Sequence, residues 1–294
     1  AGPDQTVCAT TTTLAGNTPT VGTGAWTVIA GSASVTTPSS PTSGVTGLSV
    51  GANTFVWTIS SPGCGSSSDT VTITRDASPT TASAGPDQTV CATTATLAGN
   101  TPTVGTGAWT VIAGTGSVTT PGSPTSGVTG LSVGVNTFRW TITNGSCPSS
   151  TDDVTITRDA SPTTASAGPD QTVCATTATL AGNTPTVGTG TWTVIAGSAS
   201  VTTPGSPTSG VTGLSVGANT FVWTISNASC PSSRDTVTIT RAGSPTTANA
   251  GPDQTVCATT ATLAGNTPTV GTGTLTVIAG SASITTPGSP TSGV

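Results

Sequence analysis

Short segments in which hydrophobic and polar residues alternate run along the whole chain, and Gly, Pro, Ser and Asn separate them. Alternation with a period of two is typical of β-strands that bury one face, and no segment has the 3.6-residue apolar spacing of a helix. The stretch around Trp57 is the clearest, because Phe55, Trp57 and Ile59 share one face. The first copy of the pattern predicts strands at residues 5–8, 12–15, 25–29, 34–37, 44–48, 53–60 and 69–75.

This pattern returns with a fixed period along the chain. The string Ala-Gly-Pro-Asp-Gln-Thr-Val-Cys begins at Ala1 and again at Ala84, Ala167 and Ala250, so consecutive copies stand 83 residues apart. A fixed long period indicates that each copy is one structural unit, and short strands separated by turn residues are typical of a β-sandwich. We therefore predict an all-β fold, a tandem array of immunoglobulin-like β-sandwich domains of about 83 residues.

The repeats divide the chain into four segments, at residues 1–83, 84–166, 167–249 and 250–294. The first three are complete, and the fourth lacks counterparts of the last two strands. An incomplete sandwich leaves an open core and an unpaired edge. We therefore expect the fourth copy to be ordered only if strands from another chain, or a continuation, complete it. Short Pro-containing segments at residues 76–83, 159–166 and 242–249 predict semi-stiff linkers.

Each complete copy carries two tryptophans and one phenylalanine. Their alternation with polar residues predicts that they fill the sandwich cores and do not form exposed platforms for stacking on sugars. Leu275 replaces the first tryptophan in the fourth copy, a change that a core tolerates more readily than a stacking platform. The predicted core aromatics are Trp26, Phe55, Trp57, Trp109, Phe138, Trp140, Trp192, Phe221 and Trp223.

The cysteines are periodic too, with two in each complete copy and one in the fourth. Without His or Cys-x-x-Cys spacing they indicate disulfides and an oxidising compartment, because a zinc site needs clustered ligands. The favoured pairing lies within repeats, as Cys8–Cys64, Cys91–Cys147 and Cys174–Cys230, with Cys257 unpaired. The alternative pairing clips neighbouring repeats together, as Cys64–Cys91, Cys147–Cys174 and Cys230–Cys257, and leaves Cys8 over.

Charged residues make up only 5% of the chain, and the net charge is −5. The cations are all Arg, the anions are all Asp, and His, Lys, Glu, Tyr and Met are absent. Lack of a basic cluster argues against nucleic acid as a partner, and lack of a long apolar run argues against direct membrane insertion. Ser and Cys have no His base and acid–base chemistry rests on Asp alone, so the sequence predicts no enzyme and no cofactor.

Pro-Asp pairs recur near the start of each copy, and their carboxylates are candidate ligands for a calcium ion. Asp87, Asp170 and Asp253 are the weak candidates, because each lies near a junction between repeats. Calcium takes six to eight oxygen ligands, and no dense Asp or Asn loop surrounds these residues. We therefore expect that Pro-Asp shapes a turn and that no metal is bound.

The ordered blocks of each copy resemble a known family. They include Ala-Gly-Pro-Asp-Gln-Thr-Val-Cys, Thr-Leu-Ala-Gly-Asn, Gly-Thr-Gly-Ala-Trp-Thr-Val, Val-Thr-Gly-Leu-Ser-Val-Gly and Asn-Thr-Phe-Val-Trp-Thr-Ile. Together they resemble the PKD-like, immunoglobulin-like tandem repeats of giant Bacteroidota cell-surface proteins of the adhesin or gliding type. The resemblance implies a secreted, extracellular chain without catalytic residues. It also implies O-glycosylation at Asp-Ser/Thr followed by an aliphatic residue, a pattern that Thr70 and Thr236 match.

The predicted function is a structural, non-catalytic segment of a long extracellular bacterial filament, stalk or adhesin. Its partners would be neighbouring repeats or copies of itself in a filament, and surface glycans are a further candidate. The alternative is a polyvalent, lectin-like array of carbohydrate-binding modules whose avidity comes from repetition. Exposure of the tryptophans distinguishes the two, because only exposed indoles can stack on sugars.

Overall fold

The chain is built from β-strands without any helix, and the computed structural model describes every residue from Ala1 to Val294. No helical segment that could cross a membrane is therefore present. The first copy contains β1 (Gln5–Val7), β2 (Thr12–Thr13), β3 (Thr23–Ala30), β4 (Ser34–Val35), β5 (Gly44–Thr46), β6 (Gly51–Ser61) and β7 (Gly65–Arg75). The second contains β8 (Gln88–Val90), β9 (Ala95–Thr96), β10 (Thr106–Ala113), β11 (Ser117–Val118), β12 (Gly127–Thr129), β13 (Gly134–Asn144) and β14 (Cys147–Arg158). The third contains β15 (Gln171–Val173), β16 (Ala178–Thr179), β17 (Thr189–Ala196), β18 (Ser200–Val201), β19 (Gly210–Thr212), β20 (Gly217–Asn227) and β21 (Cys230–Arg241).

Every complete copy folds into two sheets, as the strand pattern predicted. In the first copy a four-stranded sheet has the order β1-β7-β6-β3 and a three-stranded sheet has the order β2-β5-β4. The same two sheets recur in the second and third copies. The prediction of an all-β tandem array of immunoglobulin-like sandwiches is confirmed. All the strands predicted in the first copy are present, although the last begins at Gly65 and not at residue 69.

Parallel pairing of the first and last strands fixes how the chain runs through a repeat. β1 lies beside the C-terminal end of β7, with Gln5 opposite Ile73 and Val7 opposite Arg75. β6 is antiparallel to both β3 and β7. Because β1 and β7 point the same way, the chain enters a sandwich at one end and leaves it at the other.

The sandwich cores are formed by the aromatic residues that alternate with threonine along the long strands. In the first copy Trp26 and Trp57 face each other across β3 and β6, with ring centroids 5.0 Å apart and planes inclined by 38°. The other two complete copies repeat this pair almost unchanged. All nine predicted core aromatics are at most 3% exposed.

A buried asparagine stands in each of these apolar cores. The Asn136 side chain is fully buried, and its Oδ1 accepts hydrogen bonds from the backbone N–H and the hydroxyl of Ser132. Its Nδ2 donates to the carbonyl oxygens of Ser132, Gly134 and Ile156. The amide therefore joins the turn before β13 to the last strand, β14.

The chain divides into two compact units, Ala1–Ala160 and Ser161–Val294. The first contains the first copy and residues 84–160 of the second, and the second contains residues 161–166, the third copy and residues 250–294. Residues 250–294 form no strand and have a single β-bridge, between Thr262 and Gly293. Their loops nevertheless keep the hydrogen bonds of a complete copy. Leu263 N–H donates to Ser292 O, as Leu180 N–H donates to Ser209 O.

Candidate functional site at the joint between repeats

A disulfide between different repeats is the first component of the candidate site. Cys8, which follows β1 of the first copy, is bonded to Cys147 at the start of β14 in the second, and their Cα atoms are 4.8 Å apart. Cys147 is buried in this position. The expected pairings Cys8–Cys64, Cys91–Cys147 and Cys174–Cys230 are therefore wrong, and so is the alternative scheme. Cys64, Cys174 and Cys257 are free and exposed thiols, whereas Cys91 and Cys230 are disulfide-bonded.

The strand register explains why the two cysteines of one repeat do not meet. Val7 lies opposite Arg75, so Cys8 is at the C-terminal end of β7, whereas Cys64 directly precedes the other end of that strand. At about 3.3 Å per residue, eleven residues of strand separate the two positions by more than ~30 Å. A disulfide requires Cα atoms within about 7 Å. Parallel pairing of the first and last strands thus excludes the bond within a repeat.

Hydrogen bonds reinforce the disulfide. Residues 144–147, which are the turn between β13 and β14 and one residue on either side of it, form the hairpin tip. This hairpin tip lies against the end of the first copy. The backbone N–H of Ser146 donates to Asp76 Oδ2 at 2.6 Å, and the Ser146 hydroxyl donates to the same oxygen at 2.9 Å. Asn144 Nδ2 donates to Ala77 O at 2.8 Å. We call these contacts and the Cys8–Cys147 bond the repeat joint.

The electrostatics of the joint centre on Asp76. The Ser146 backbone N–H and then its hydroxyl stabilise the charged carboxylate, and they hold the pKa of Asp76 below its ordinary value of 3.8. Gly145 occupies the turn with a positive φ of 50°, and a Cβ at this position would overlap the Asp76 carboxylate. Glycine is therefore needed here both for the backbone conformation and for the close approach.

The linker after Asp76 is hydrogen-bonded into the second repeat along its length. Thr80 N–H donates to Val104 O, and Thr80 Oγ1 accepts from the N–H groups of Thr103 and Val104. Further along, Ala82 N–H donates to the Ser150 hydroxyl at 2.9 Å. Because its own polar groups are used in this way, the linker is held against the second sandwich and is not a free spacer.

Two of the three calcium candidates, Asp87 and Asp170, accept backbone hydrogen bonds within their own repeats. Asp87 Oδ1 accepts the backbone N–H of Thr155 at 2.7 Å, and Asp170 Oδ1 accepts that of Thr238 at 2.8 Å. Each carboxylate thus ties the loop before the first strand of its repeat to the last strand. Asp253 belongs to the fourth copy, where the last strand has no counterpart. No three His, Cys, Asp or Glu side chains come together in a group that could hold a metal ion.

The outer face of the four-stranded sheet is nearly uncharged. Its outward positions are mainly threonines, and Thr70 and Thr236 are both exposed there. Only the second copy places an ion pair at this point: Arg139 and Asp153 stand opposite each other on β13 and β14, with two hydrogen bonds of 2.7 and 2.8 Å. The Arg139 guanidinium lowers the pKa of Asp153.

Sequence reasoning singles out Cys8 and Cys147 as disulfide cysteines, but it does not single out Asp76, Asn144 or Ser146, although a signal for them is present. Copies two and three share the pattern Asn-x-Ser-Cys at the hairpin tip, at 144–147 and 227–230, whereas the first copy reads Ser-Pro-Gly-Cys at 61–64. Likewise Asp76 and Asp159 occupy the same place in their linkers, where the third copy has Ala242.

The fold and this site define a tandem array of immunoglobulin-like sandwiches in which a disulfide links the first two repeats. No family model matches the sequence, and no curated protein matches it. Among solved structures, the chain is similar to the I-band fragment I67–I69 from titin, at 13% identity and a TM-score of 0.46, over 81% of this chain and 95% of that one. Mouse cadherin-23 EC22–24 matches at 12% identity and a TM-score of 0.37, over 82% of this chain and 96% of that one. The complex of Dpr2 Ig1–Ig2 with DIP-Theta Ig1–Ig3 matches at 12% identity and a TM-score of 0.36, over 82% of this chain and 97% of that one.

Proposed function

We propose that this chain is a structural, non-catalytic segment of a long extracellular filament, stalk or adhesin. The repeat joint supports the proposal most directly, because it fixes one sandwich to the next by a covalent bond, by Asp76 and by Asn144. A flexible tether needs no such contacts. In this proposal the structural units are the sequence repeats 1–83, 84–166 and 167–249, followed by part of a fourth.

Two observations support an extracellular location. Four cysteines are oxidised, and disulfides persist mainly in secreted and cell-surface proteins. The sequence blocks of each copy resemble PKD-like repeats of Bacteroidota surface proteins. This resemblance implies that the chain is exposed at a cell surface. Exposure of Thr70 and Thr236 supports the proposal that both carry O-linked glycans, which would keep a surface with few charges soluble.

The lectin-like alternative is disfavoured by the position of the tryptophans. All six are at most 3% exposed and pack as pairs inside the sandwiches. Stacking on a sugar ring requires an accessible indole face, which none of these residues offers.

Electron microscopy of native cell-surface material, labelled with an antibody against the repeat, tests the proposal. A continuous labelled shaft with one regular axial rise per repeat is the expected result. Labelled beads scattered at the base of a larger catalytic or adhesive domain would contradict it, because the array would then be a tether.

A further inference from the structure

The hairpin tip of the second copy contains Asn144 followed directly by Gly145, the one Asn-Gly pair in the chain. In such a pair the backbone nitrogen of glycine can attack the side-chain carbonyl carbon of asparagine, because glycine has no Cβ to hinder the approach. A new C–N bond then closes a cyclic imide, the succinimide. The side-chain amide leaves with the proton of the glycine nitrogen as ammonia. Addition of water opens the ring to aspartate or to isoaspartate, which completes a deamidation.

The nucleophile of this reaction is exposed and makes no hydrogen bond. Gly145 lies in the turn between β13 and β14, and its N–H donates to no acceptor. The N–H of the next residue, Ser146, is by contrast bonded to Asp76. An unbonded and exposed N–H can lose its proton to solvent without breaking a hydrogen bond. The position of the Asn144 side chain therefore decides whether the reaction proceeds.

The repeat joint restrains that side chain. Asn144 is the last residue of β13, lies opposite Cys147 and is half-buried. Its Nδ2 donates to Ala77 O of the first copy at 2.8 Å. Attack by Gly145 needs the side chain free to turn its carbonyl carbon toward the glycine nitrogen. A closed joint opposes this rotation, because the bond to Ala77 O fixes the direction of the amide.

We propose that Asn144 is a modification site, at which deamidation converts an open joint into one that no longer closes. The reaction proceeds when the joint opens and the side chain turns toward Gly145. A carboxylate at position 144 then presents an acceptor to Ala77 O in place of a donor, and it adds a negative charge to a joint that already contains Asp76. The isoaspartyl product also lengthens the backbone of the turn by a methylene group, which displaces Ser146 from Asp76. The proposal rests on the repeat joint and not on the filament function.

Ageing of the purified full chain in mildly alkaline buffer tests the site. After incubation the chain is reduced and digested with trypsin, and mass spectrometry measures how much of peptide 140–158 carries Asn, Asp or isoaspartate at position 144. We expect Asn144 to be converted while Asn227, its counterpart before Ala228, stays intact, because the alanine Cβ hinders the attack. An Asn144 that persists as long as Asn227 would overturn the proposal.

Variants that open the joint show whether it restrains the amide. Cys8→Ser removes the disulfide, Asp76→Ala removes the carboxylate that binds Ser146, and neither changes the Asn-Gly pair. Both should accelerate the deamidation roughly tenfold, since they raise the population of the open joint. Cys64→Ser is the matched control, because Cys64 is a free thiol outside the joint, and it should leave the rate unchanged. Equal rates in Cys8→Ser and Cys64→Ser would refute the proposal.

The variant Asn144→Asp tests the consequence for the joint. It reproduces the aspartyl product, so its Ser146 amide proton, followed by NMR, should exchange with solvent roughly tenfold faster than in the parent chain. Asn17→Asp adds the same charge at an exposed position outside the joint and should leave this exchange unchanged. Equal Ser146 exchange in the two variants would show that the Asn144 amide does not hold the joint closed, and the proposal would fail.

Discussion

At the residue scale, the buried asparagine of each repeat shows how one polar side chain specifies a turn. Asn136 makes five hydrogen bonds to Ser132, Gly134 and Ile156 without contact with water. A buried amide with all its partners fixes one arrangement of the chain, because any other leaves polar groups unsatisfied. Alternation with Phe138 and Trp140 places this asparagine on the inward face, but it does not reveal the hydrogen-bond partners of the amide.

Substitution Asn136→Ala should destabilise the second repeat by about 2–4 kcal/mol, since it leaves the carbonyl oxygens and the Ser132 N–H without partners. Chemical denaturation monitored by tryptophan fluorescence measures the change. The exposed Thr110→Ala on the outer sheet face is the control and should change the stability by no more than about 0.5 kcal/mol. An Asn136→Ala protein as stable as this control would contradict the role given to the network.

At the element scale, the hairpin tip at residues 144–147 connects one repeat to the next. A two-residue turn places Gly145 and Ser146 against Asp76, and β14 begins at Cys147 itself. In the first copy the turn is a residue longer, because Ser61 pairs with Gly65.

The joint should loosen in acid. The pKa of Asp76 is lowered in the folded chain, so its charged form contributes stability that is complete above the unfolded value near 3.8. That contribution is lost as the pH falls through the lower, folded pKa. The amide proton shift of Ser146, followed by NMR, should titrate with a midpoint below 3.8, and Asp76→Ala should abolish this titration. A midpoint at or above 3.8 would show that the carboxylate does not accept the Ser146 N–H.

At the scale of the whole molecule, the disulfide bond joins two consecutive repeats and does not close a loop within one repeat. The Cys8–Cys147 bond spans 139 residues and joins two sandwiches that each have a complete core of their own. Such a bond restricts the movement of the two repeats relative to each other, as the proposed structural role requires.

Non-reducing digestion with trypsin separates the possible pairings, because the chain contains only five arginines and no lysine. The peptide 140–158, which carries Cys147, should be recovered linked to peptide 1–75. Pairing within repeats would instead link it to peptide 76–139, which carries Cys91. Cys8→Ser should abolish the expected linkage. Cys64→Ser should leave it intact, which identifies Cys8 as the partner, and recovery of the 76–139 linkage in the parent chain would refute the joint.

The sequence by itself determined the strands, the sheet faces and the aromatic cores of this protein. These features depend on alternation and turn residues that are local in the chain, so Trp57 and Phe55 could be assigned to a core from their neighbours. The partners of Cys8 and Asp76 were decided only by the tertiary structure. Parallel pairing of β1 with β7 sets the two cysteines of a repeat at opposite ends of a sheet, and the next repeat then brings Cys147 to Cys8. No local pattern encodes that distance, because it arises from strands far apart in sequence.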